Sequence, residues 1–205
     1  MQEGLLLGRV ADGVENDEFV GYAQVNNIGC IRGDEEDVLE RLIYCGDFDD
    51  ATDIFRLTSE SPFTYFDLID EAWAQHVNDK NDATFLDDII DGCGFEILSL
   101  DALKRSHNEG EDRHRSELCT LYIRENKSQF KLGYIESPEK LVRKDIRLTV
   151  DYPEDLIVCR AVYEKFKDYA PKIPLLDVVD FLDENTQLLK HTSPFCEKGY
   201  STMYL

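Results

Sequence analysis

The sequence is poor in basic residues, and this shortage excludes two classes of partner. Lysine and arginine number 22 against 43 aspartate and glutamate residues, which gives a formal net charge of -21 at pH 7. Sequence-independent binding to nucleic acid requires a basic surface, and an anionic membrane surface would repel this chain. We therefore expect no nucleic-acid partner and no membrane partner. A nucleotide can still bind where a divalent ion and a few arginines offset the negative field.

Long apolar runs and closely paired cysteines are also missing. The run Leu5–Leu7 is too short for a signal peptide, and no stretch approaches the roughly 20 apolar residues of a membrane-spanning helix. The six cysteines lie far apart among mostly apolar neighbours, which predicts reduced core residues of a cytoplasmic protein. They are Cys30, Cys45, Cys93, Cys119, Cys159 and Cys196. A zinc site formed by His107, His114 and Cys119 is not expected, because their spacing matches no familiar zinc pattern.

The sequence does contain enough apolar residues for one packed domain. It has 205 residues, of which 42% are hydrophobic. Short apolar runs typical of strands alternate with amphipathic segments typical of helices, which predicts the α/β class. We expect a single domain over residues 1–188. Residues 189–205 lack apolar periodicity and are predicted to form an irregular tail.

Three further features are predicted from periodicity. The helix after Gly33 should bury Val38, Leu39, Leu42 and Ile43, which recur on one helical face. The helix Phe66–Val77 should turn Trp73 towards the core. The loop with Asp87, Asp88 and Asp91 is interpreted as a solvated acidic face, since its spacing is not that of a calcium loop.

The stretch Ile146–Leu156, I-R-L-T-V-D-Y-P-E-D-L, contains the first candidate for a catalytic residue. Arg147–Val150 is predicted to be a strand with Asp151 at its carboxyl end. Pro153 and the two acidic residues after it have the composition of a first helical turn. Asp151 is therefore a candidate ligand at the end of a strand. The alternative is that Asp151 only caps the following helix.

A second stretch, Ile54–Pro62, repeats the pattern of an Arg-Leu-Thr strand that runs into a carboxylate, here Glu60. Open α/β sheets gather their ligands at the carboxyl ends of the strands. We therefore predict that Glu60 and Asp151 approach each other. Two carboxylates at one crevice suit a site for Mg²⁺ and a nucleotide triphosphate, because the metal prefers hard oxygen ligands and bridges phosphate oxygens.

Five motifs in a fixed order extend this hypothesis. They are R-G-D-E-E-D-V-L-E-R at residues 32–41, R-L-T-S-E-S-P at 56–62, G-C-G-F-E-I at 92–97, H-R-S-E-L-C-T-L-Y-I at 114–123 and L-T-V-D-Y-P-E-D-L at 148–156. Over residues 16–185 the chain thereby resembles the cytidylyltransferase family that activates acidic sugars. It is most similar to the branch of spore-coat polysaccharide biosynthesis.

The resemblance implies a fold and a reaction. The fold would be a three-layer αβα arrangement with a mainly parallel, Rossmann-like sheet, as in transferases of nucleotide-diphospho-sugar type. The reaction would convert CTP and an acidic sugar into a CMP-sugar and pyrophosphate, with Mg²⁺ as cofactor, for a cell-surface polysaccharide. Relatives are often homodimers.

The resemblance also implies roles for individual residues. Asp151 and Glu60 would be the catalytic metal ligands, although much of the family has aspartate where Glu60 stands. The substrate-binding residues would be Arg56, Glu96, Arg113, His114, Arg115 and Glu117. In this set, arginine would bind the sugar carboxylate and Glu96 would accept from sugar hydroxyls. The alternatives are an outward-facing strand residue for Glu96 and a solvated loop for the two arginines after residue 112.

One family motif is not found in this sequence. The family opens with a strand and a phosphate-binding loop of the kind R-x-G-S-x-R-L-P-G-K, and nothing before Gly33 matches it, so the first βα unit is expected to be missing. Three hypotheses follow: an enzyme whose loop comes from another segment, a non-catalytic sugar-binding or assembly subunit, or a truncated reading frame. We expect this chain alone neither to bind CTP with Mg²⁺ tightly nor to release pyrophosphate, unless residues such as Arg9 and Arg32 supply the donors.

Overall fold

The computed structural model describes residues 6–203, with side chains described up to residue 199. Within that range strands and helices alternate as far as residue 86. The strands are β1 Leu7–Ala11, β2 Gly29–Gly33, β3 Asp53–Arg56, β4 Ala83–Leu86, β5 Phe95–Ser99 and β6 Leu132–Tyr134. The helices are α1 Asp17–Val25, α2 Val38–Phe48, α3 Ile69–Asp79, α4 Leu100–Glu109, α5 Leu121–Glu125, α6 Pro153–Phe166, α7 Leu175–Glu184 and α8 Thr186–Met203. None of these helices is long and apolar enough to cross a membrane.

The strands form two sheets with parallel pairs. Strands β1 and β2 are parallel, in a register that runs from Leu7 opposite Gly29 to Ala11 opposite Gly33. The other four strands have the order β3-β5-β4-β6, and β4 is parallel to β6. Parallel neighbours require crossover connections, which helices supply in this class of fold. The predicted α/β class is confirmed.

The chain divides into two compact units. The first consists of the chain up to Ile54 together with Leu98–Phe130, and the second consists of Phe55–Ile97 together with the chain from Lys131 onward. The boundaries fall within β3 and β5. The expectation of one domain over residues 1–188 stays a prediction.

Helix α2 shows how local chemistry shapes the first unit. It begins after Asp37, whose Oδ1 accepts a hydrogen bond from the backbone N–H of Glu40 at 2.8 Å. A cap of this kind typically stabilises a helix by about 1 kcal/mol. The predicted apolar face is confirmed, because the buried residues of α2 include Val38, Leu39, Leu42 and Ile43.

The second unit has a continuous apolar core drawn from α3, β4, α6 and α7. Fully buried members include Ala72, Leu86, Val158, Val162 and Val179. The prediction that Trp73 lies in this core is wrong, since 39% of the residue is exposed. Helix α3 instead buries Ala72 and His76, and His76 Nδ1 lies 2.9 Å from Thr84 Oγ1. The face of α3 that carries Ala72 and His76 is therefore the one that turns inward.

The predicted strand Arg147–Val150 is not a regular strand. It makes one isolated parallel bridge, between Arg147 and Asp91. Leu148 N donates to Asp91 O at 2.8 Å, and Val150 N donates to Glu60 O at 2.9 Å. The segment therefore pairs with two different loops, one residue at a time, rather than with a neighbouring strand.

The predicted irregular tail is also wrong, because residues 186–203 form helix α8. This helix packs against α6 and α7. It buries Thr192 and Cys196, and the ring of Phe195 stacks on Tyr152 with centroids 4.3 Å apart. Pro194 lies inside the helix and hides its periodicity in the sequence. Tertiary packing, which sequence periodicity does not record, stabilises the helix.

Candidate functional site

The two predicted carboxylate-bearing segments meet through their backbones. Glu60 O accepts a hydrogen bond from Val150 N at 2.9 Å and another from Thr149 Oγ1 at 3.3 Å. The residue before Asp151 is thus fixed against Glu60, within the second unit. The convergence of the two segments agrees with the expectation from the sequence. That their carboxylates share one metal ion stays a prediction.

Asp151 is not the cap of helix α6. The helix begins at Pro153, and Asp155 Oδ2 accepts from the backbone N–H groups of Asp151 and Tyr152, each at 3.0 Å. Asp155 therefore satisfies the free N–H groups at the helix start. The alternative interpretation of Asp151 as a cap is wrong. Its side chain is 48% exposed, which leaves the carboxylate accessible to a ligand.

Arg147 forms a buried charge cluster that the sequence analysis missed. Its Nη1 donates to Asp91 Oδ2 at 2.6 Å, its Nε donates to Asp155 Oδ1 at 3.0 Å, and its Nη2 donates to Asp151 Oδ2. Arg147, Asp91 and Asp155 are each at most 3% exposed. The sequence feature that points to this cluster is the arginine within the apolar run I-R-L-T-V, because a charge buried among apolar residues requires partners.

The interpretation of the loop as a solvated acidic face is wrong for Asp91, whereas Asp88 is exposed as expected. Asp91 is 1% exposed, and burial raises the pKa of its carboxyl group against the opposing effect of Arg147. Asp91 Oδ1 has no hydrogen-bond partner in the part of the chain that the structure describes. One guanidinium thus faces three carboxylates, an excess of negative charge next to the exposed Asp151.

Gly92, in the G-C-G-F-E-I motif, allows its segment to pass very close to residues 148–149. Its φ is 86°, a left-handed conformation that L side chains rarely adopt. A Cβ at this position would lie 2.5 Å from Thr149 N. The motif therefore serves the close approach of residues 148–149, which lead to Asp151.

Arg56 and Glu96 were both predicted on the substrate side, and the structure pairs them with each other. Arg56 Nη1 donates to Glu96 Oε2 at 2.8 Å, and both side chains are 13% exposed. Glu96 is therefore not an outward-facing strand residue. Its carboxylate already accepts from a cation, so its role towards sugar hydroxyls stays a prediction.

The other predicted substrate residues belong to the first unit. Arg113 makes a bidentate pair with Glu125, with both N–O distances at 2.6 Å. His114 is 3% exposed; its Nδ1 accepts from Glu111 N at 2.8 Å, and its Nε2 donates to Glu125 Oε2 at 3.0 Å. The hydrogen bonds of Arg113 and His114 lower the pKa of Glu125 from 4.5 to about 2.

Arg115 is paired as well. Its Nη1 donates to Asp112 Oδ1 at 3.0 Å, and its Nε lies 3.8 Å from Asp37 Oδ2. Asp37 Oδ2 also lies 2.7 Å from His107 Nε2. Glu117 is exposed. A substrate carboxylate would have to replace protein acceptors at Arg113 and Arg115. Substrate binding there would therefore leave protein carboxylates without their cation, which costs electrostatic energy.

The proposed phosphate donors of the first unit are engaged too. Arg9 Nη1 donates to Val38 O at 2.7 Å. Arg32 Nη1 donates to Gly13 O at 2.9 Å, and its Nη2 donates to Asp17. Neither guanidinium is arranged as an open receptor for phosphate. The sequence-based idea that these two arginines rebuild a phosphate site stays a prediction without structural support.

The donor chemistry near Asp151 fits a divalent cation that substrate phosphates help to bind. Across the described residues, no group of three or more His, Cys, Asp or Glu side chains is placed to hold a metal ion. Mg²⁺ in nucleotide sites, however, usually takes only one or two carboxylates, with phosphate and water completing its octahedron. Asp151 and Glu60 match that number and type of protein ligand.

Comparisons with known proteins find sequences that are similar to this chain. The chain is 30% identical over 186 residues to Uncharacterized protein MJ1063 of Methanocaldococcus jannaschii, a match that covers 91% of this chain and 76% of the relative. It is 28% identical over 155 residues to Spore coat polysaccharide biosynthesis protein SpsF of Bacillus subtilis, covering 75% of this chain and 64% of SpsF. No family model matches the sequence.

A solved structure shares the fold. A cytidylyltransferase from Leptospira borgpetersenii serovar Hardjo-bovis superimposes with a TM-score of 0.80 at 18% identity, over 89% of this chain and 77% of that one. This similarity confirms the Rossmann-like nucleotidyltransferase fold that the motifs predicted.

Proposed function

Because the chain belongs to the cytidylyltransferase family, we propose that its site serves the transfer of a cytidylyl group from CTP to an acidic sugar of a cell-surface polysaccharide. The observation that carries the proposal is the hydrogen bond from Val150 N to Glu60 O, which joins the two motifs that bear candidate metal ligands. The name of SpsF supports the polysaccharide context. The free cysteines suit a cytoplasmic location.

In the proposed reaction a sugar hydroxyl group loses its proton to water, its oxygen bonds to the α-phosphorus, and the bond from that phosphorus to pyrophosphate breaks. Asp151 and Glu60 would hold Mg²⁺, which when bound offsets the charge of the phosphates. The protein contributes mainly alignment and electrostatic stabilisation, since this chemistry requires little covalent participation. Arg147 and Asp155 contribute by fixing the carboxylate and the backbone of Asp151.

On the sugar side, we assign the carboxylate of the substrate to Arg113 or Arg115. Arginine suits a carboxylate because its guanidinium donates in a planar, bidentate geometry. Arg113 already uses this geometry with Glu125. Substrate binding would exchange one carboxylate for another, which keeps the guanidinium paired.

A second candidate function is a non-catalytic sugar-binding or assembly subunit. The pairing of Arg9 and Arg32 with acceptors of the protein favours it, because a triphosphate requires free donors around its β- and γ-phosphates. The two roles differ in whether pyrophosphate is released.

The test measures Mn²⁺ binding by electron paramagnetic resonance at millimolar CTP. We expect CTP to increase Mn²⁺ binding, and Asp151→Asn to abolish the increase. Asp168→Asn is the matched control, because Asp168 is an exposed aspartate of the same unit. Unchanged Mn²⁺ binding in Asp151→Asn would contradict the assignment.

A pyrophosphate assay with acidic sugars then separates the two roles. Release that depends on Asp151 supports the transferase. Binding of an acidic sugar without any release supports the non-catalytic subunit.

A further inference from the structure

The guanidinium of Arg147 is held on three sides. Its nitrogen atoms donate to Asp91, Asp155 and Asp151, of which the first two are at most 1% exposed. Only Asp151 reaches solvent, with 48% of its side chain exposed. A planar guanidinium with a carboxylate on each side has a fixed orientation. Its contact with Asp151 Oδ2 therefore fixes that oxygen as well.

Asp155 also holds Asp151, through the backbone amide of Asp151. Its Oδ1 accepts from Arg147 Nε, and its Oδ2 accepts from the N–H groups of Asp151 and Tyr152. Asp151 is thus held at its amide and at one carboxylate oxygen. Its other oxygen, Oδ1, accepts no hydrogen bond from the described part of the protein. This arrangement presents a single oxygen in a defined position.

Helix α8 closes over the cluster. A Cβ on Gly199 would overlap Arg147 Nη1 and lie 2.5 Å from Asp91 Oδ2, so only glycine fits there without displacing the ion pair. Two other residues of α8 contact Tyr152, the neighbour of Asp151. Phe195 stacks on its ring, and Lys198 Nζ donates to its hydroxyl group at 3.1 Å.

We propose that Arg147 is a positioning residue that holds Asp151 as a one-oxygen ligand for a divalent cation, and that α8, through Gly199, keeps Arg147 in place. This inference rests on the proposed function for the cation. It adds that the C-terminal helix is part of the machinery of the site. Mg²⁺ and Mn²⁺ favour near-octahedral geometry, so a ligand oxygen that loses its fixed position binds them more weakly.

The test compares Gly199→Ala with Gly21→Ala in the full chain, with Mn²⁺ alone as the probe. Gly21 also lies in a helix, and a Cβ there would meet no atom within 4 Å. We expect Gly199→Ala to weaken Mn²⁺ binding by about 10-fold or more, because residues that orient metal ligands typically change affinity by about 10–100-fold. Gly21→Ala should bind like the wild type. Arg147→Lys keeps the charge but has one nitrogen, and should weaken binding similarly.

A purely structural role would lower the melting temperature and leave the affinity of the folded protein unchanged. Folded Gly199→Ala with wild-type Mn²⁺ affinity would overturn the proposal.

Amide hydrogen exchange at Asp151 and Tyr152 provides a readout that does not depend on metal. These amides should exchange faster in Gly199→Ala than in the wild type, and at the wild-type rate in Gly21→Ala. If the wild type binds no Mn²⁺, either alone or with millimolar CTP, the cation site of the proposed function fails, and the exchange rates still decide whether α8 positions Asp151. Equal rates in the two glycine variants would then overturn the positioning role.

Discussion

At the scale of single residues, the acidity of this chain determines what each arginine can do. Arg113 and Arg115 were predicted as substrate cations on the basis of sequence, yet each donates to carboxylates of the protein, as Arg147 does too. With 43 acidic residues against 22 basic ones, an arginine is rarely far from an acceptor. A guanidinium that is already paired contributes to a site by orienting its partners, as Arg147 does for Asp151.

The pair between Arg113 and Glu125 leads to a prediction about acid stability. The pKa of Glu125 is lowered from 4.5 to about 2, first by the hydrogen bond from Arg113 and then by that from His114. A carboxyl group with a lowered folded-state pKa contributes stability above pH 4.5, and this contribution is lost as the pH falls towards 2. In Glu125→Gln the urea midpoint should therefore fall less between pH 5 and pH 2.5 than in the wild type.

Glu18→Gln serves as the control, because Glu18 is exposed and lies in the same unit. It should retain the pH dependence of the wild type. Identical profiles for wild type and Glu125→Gln would contradict the prediction.

At the scale of elements, the path to Asp151 is an irregular segment held by its neighbours. Residues 147–150 bond to Asp91 on one side and to Glu60 on the other. Helix α8, which the sequence did not indicate, packs over the same cluster. The geometry of the site thus depends on elements that have weak periodicity of their own.

Gly92 tests this dependence, because two separate reasons favour glycine there. Its φ of 86° is unfavourable for alanine by about 1–3 kcal/mol, whereas asparagine tolerates such angles. The Cβ would also lie 2.5 Å from Thr149 N, and overpacking costs a further ~1–3 kcal/mol. We expect urea unfolding to show that both variants are less stable than the wild type. Gly92→Ala should be the less stable of the two, because Gly92→Asn is destabilised by the overpacking alone and not by the backbone angle. Wild-type stability of Gly92→Asn would mean that the close approach has no energetic importance.

At the scale of the whole molecule, net charge opposes nucleotide binding. CTP brings several negative charges to a chain of net charge -21. A charge-assisted hydrogen bond to a phosphate is worth about 1.5–3 kcal/mol, so the loss of two or three such donors weakens binding by several orders of magnitude. Arg9 and Arg32 do not compensate while they bond to Val38, Gly13 and Asp17.

We therefore expect calorimetry of the 205-residue chain with CTP and Mg²⁺ to show binding weaker than micromolar. Micromolar affinity that is lost in Arg9→Ala or Arg32→Ala would disprove this. It would mean that these arginines exchange their protein acceptors for phosphate.

The sequence by itself determined the class of fold, the apolar face of α2 and the segments that bear Asp151 and Glu60. These features depend on local chemistry: strand and helix periodicity, a capping aspartate, and carboxylates placed after β-type residues. The five motifs in their order were sufficient to identify the family, because they are spread along the chain from residue 32 to residue 156.

Only the tertiary structure decided which partners the charges find and how segments without periodicity fold. Asp91 is buried by a chain segment more than fifty residues away, and no local pattern records that contact. Trp73 is exposed because α3 buries Ala72 and His76 instead, and α8 is helical because α6 and Tyr152 provide its packing surface. Burial and ion pairing are properties of contacts between distant residues, and these are fixed only when the chain folds.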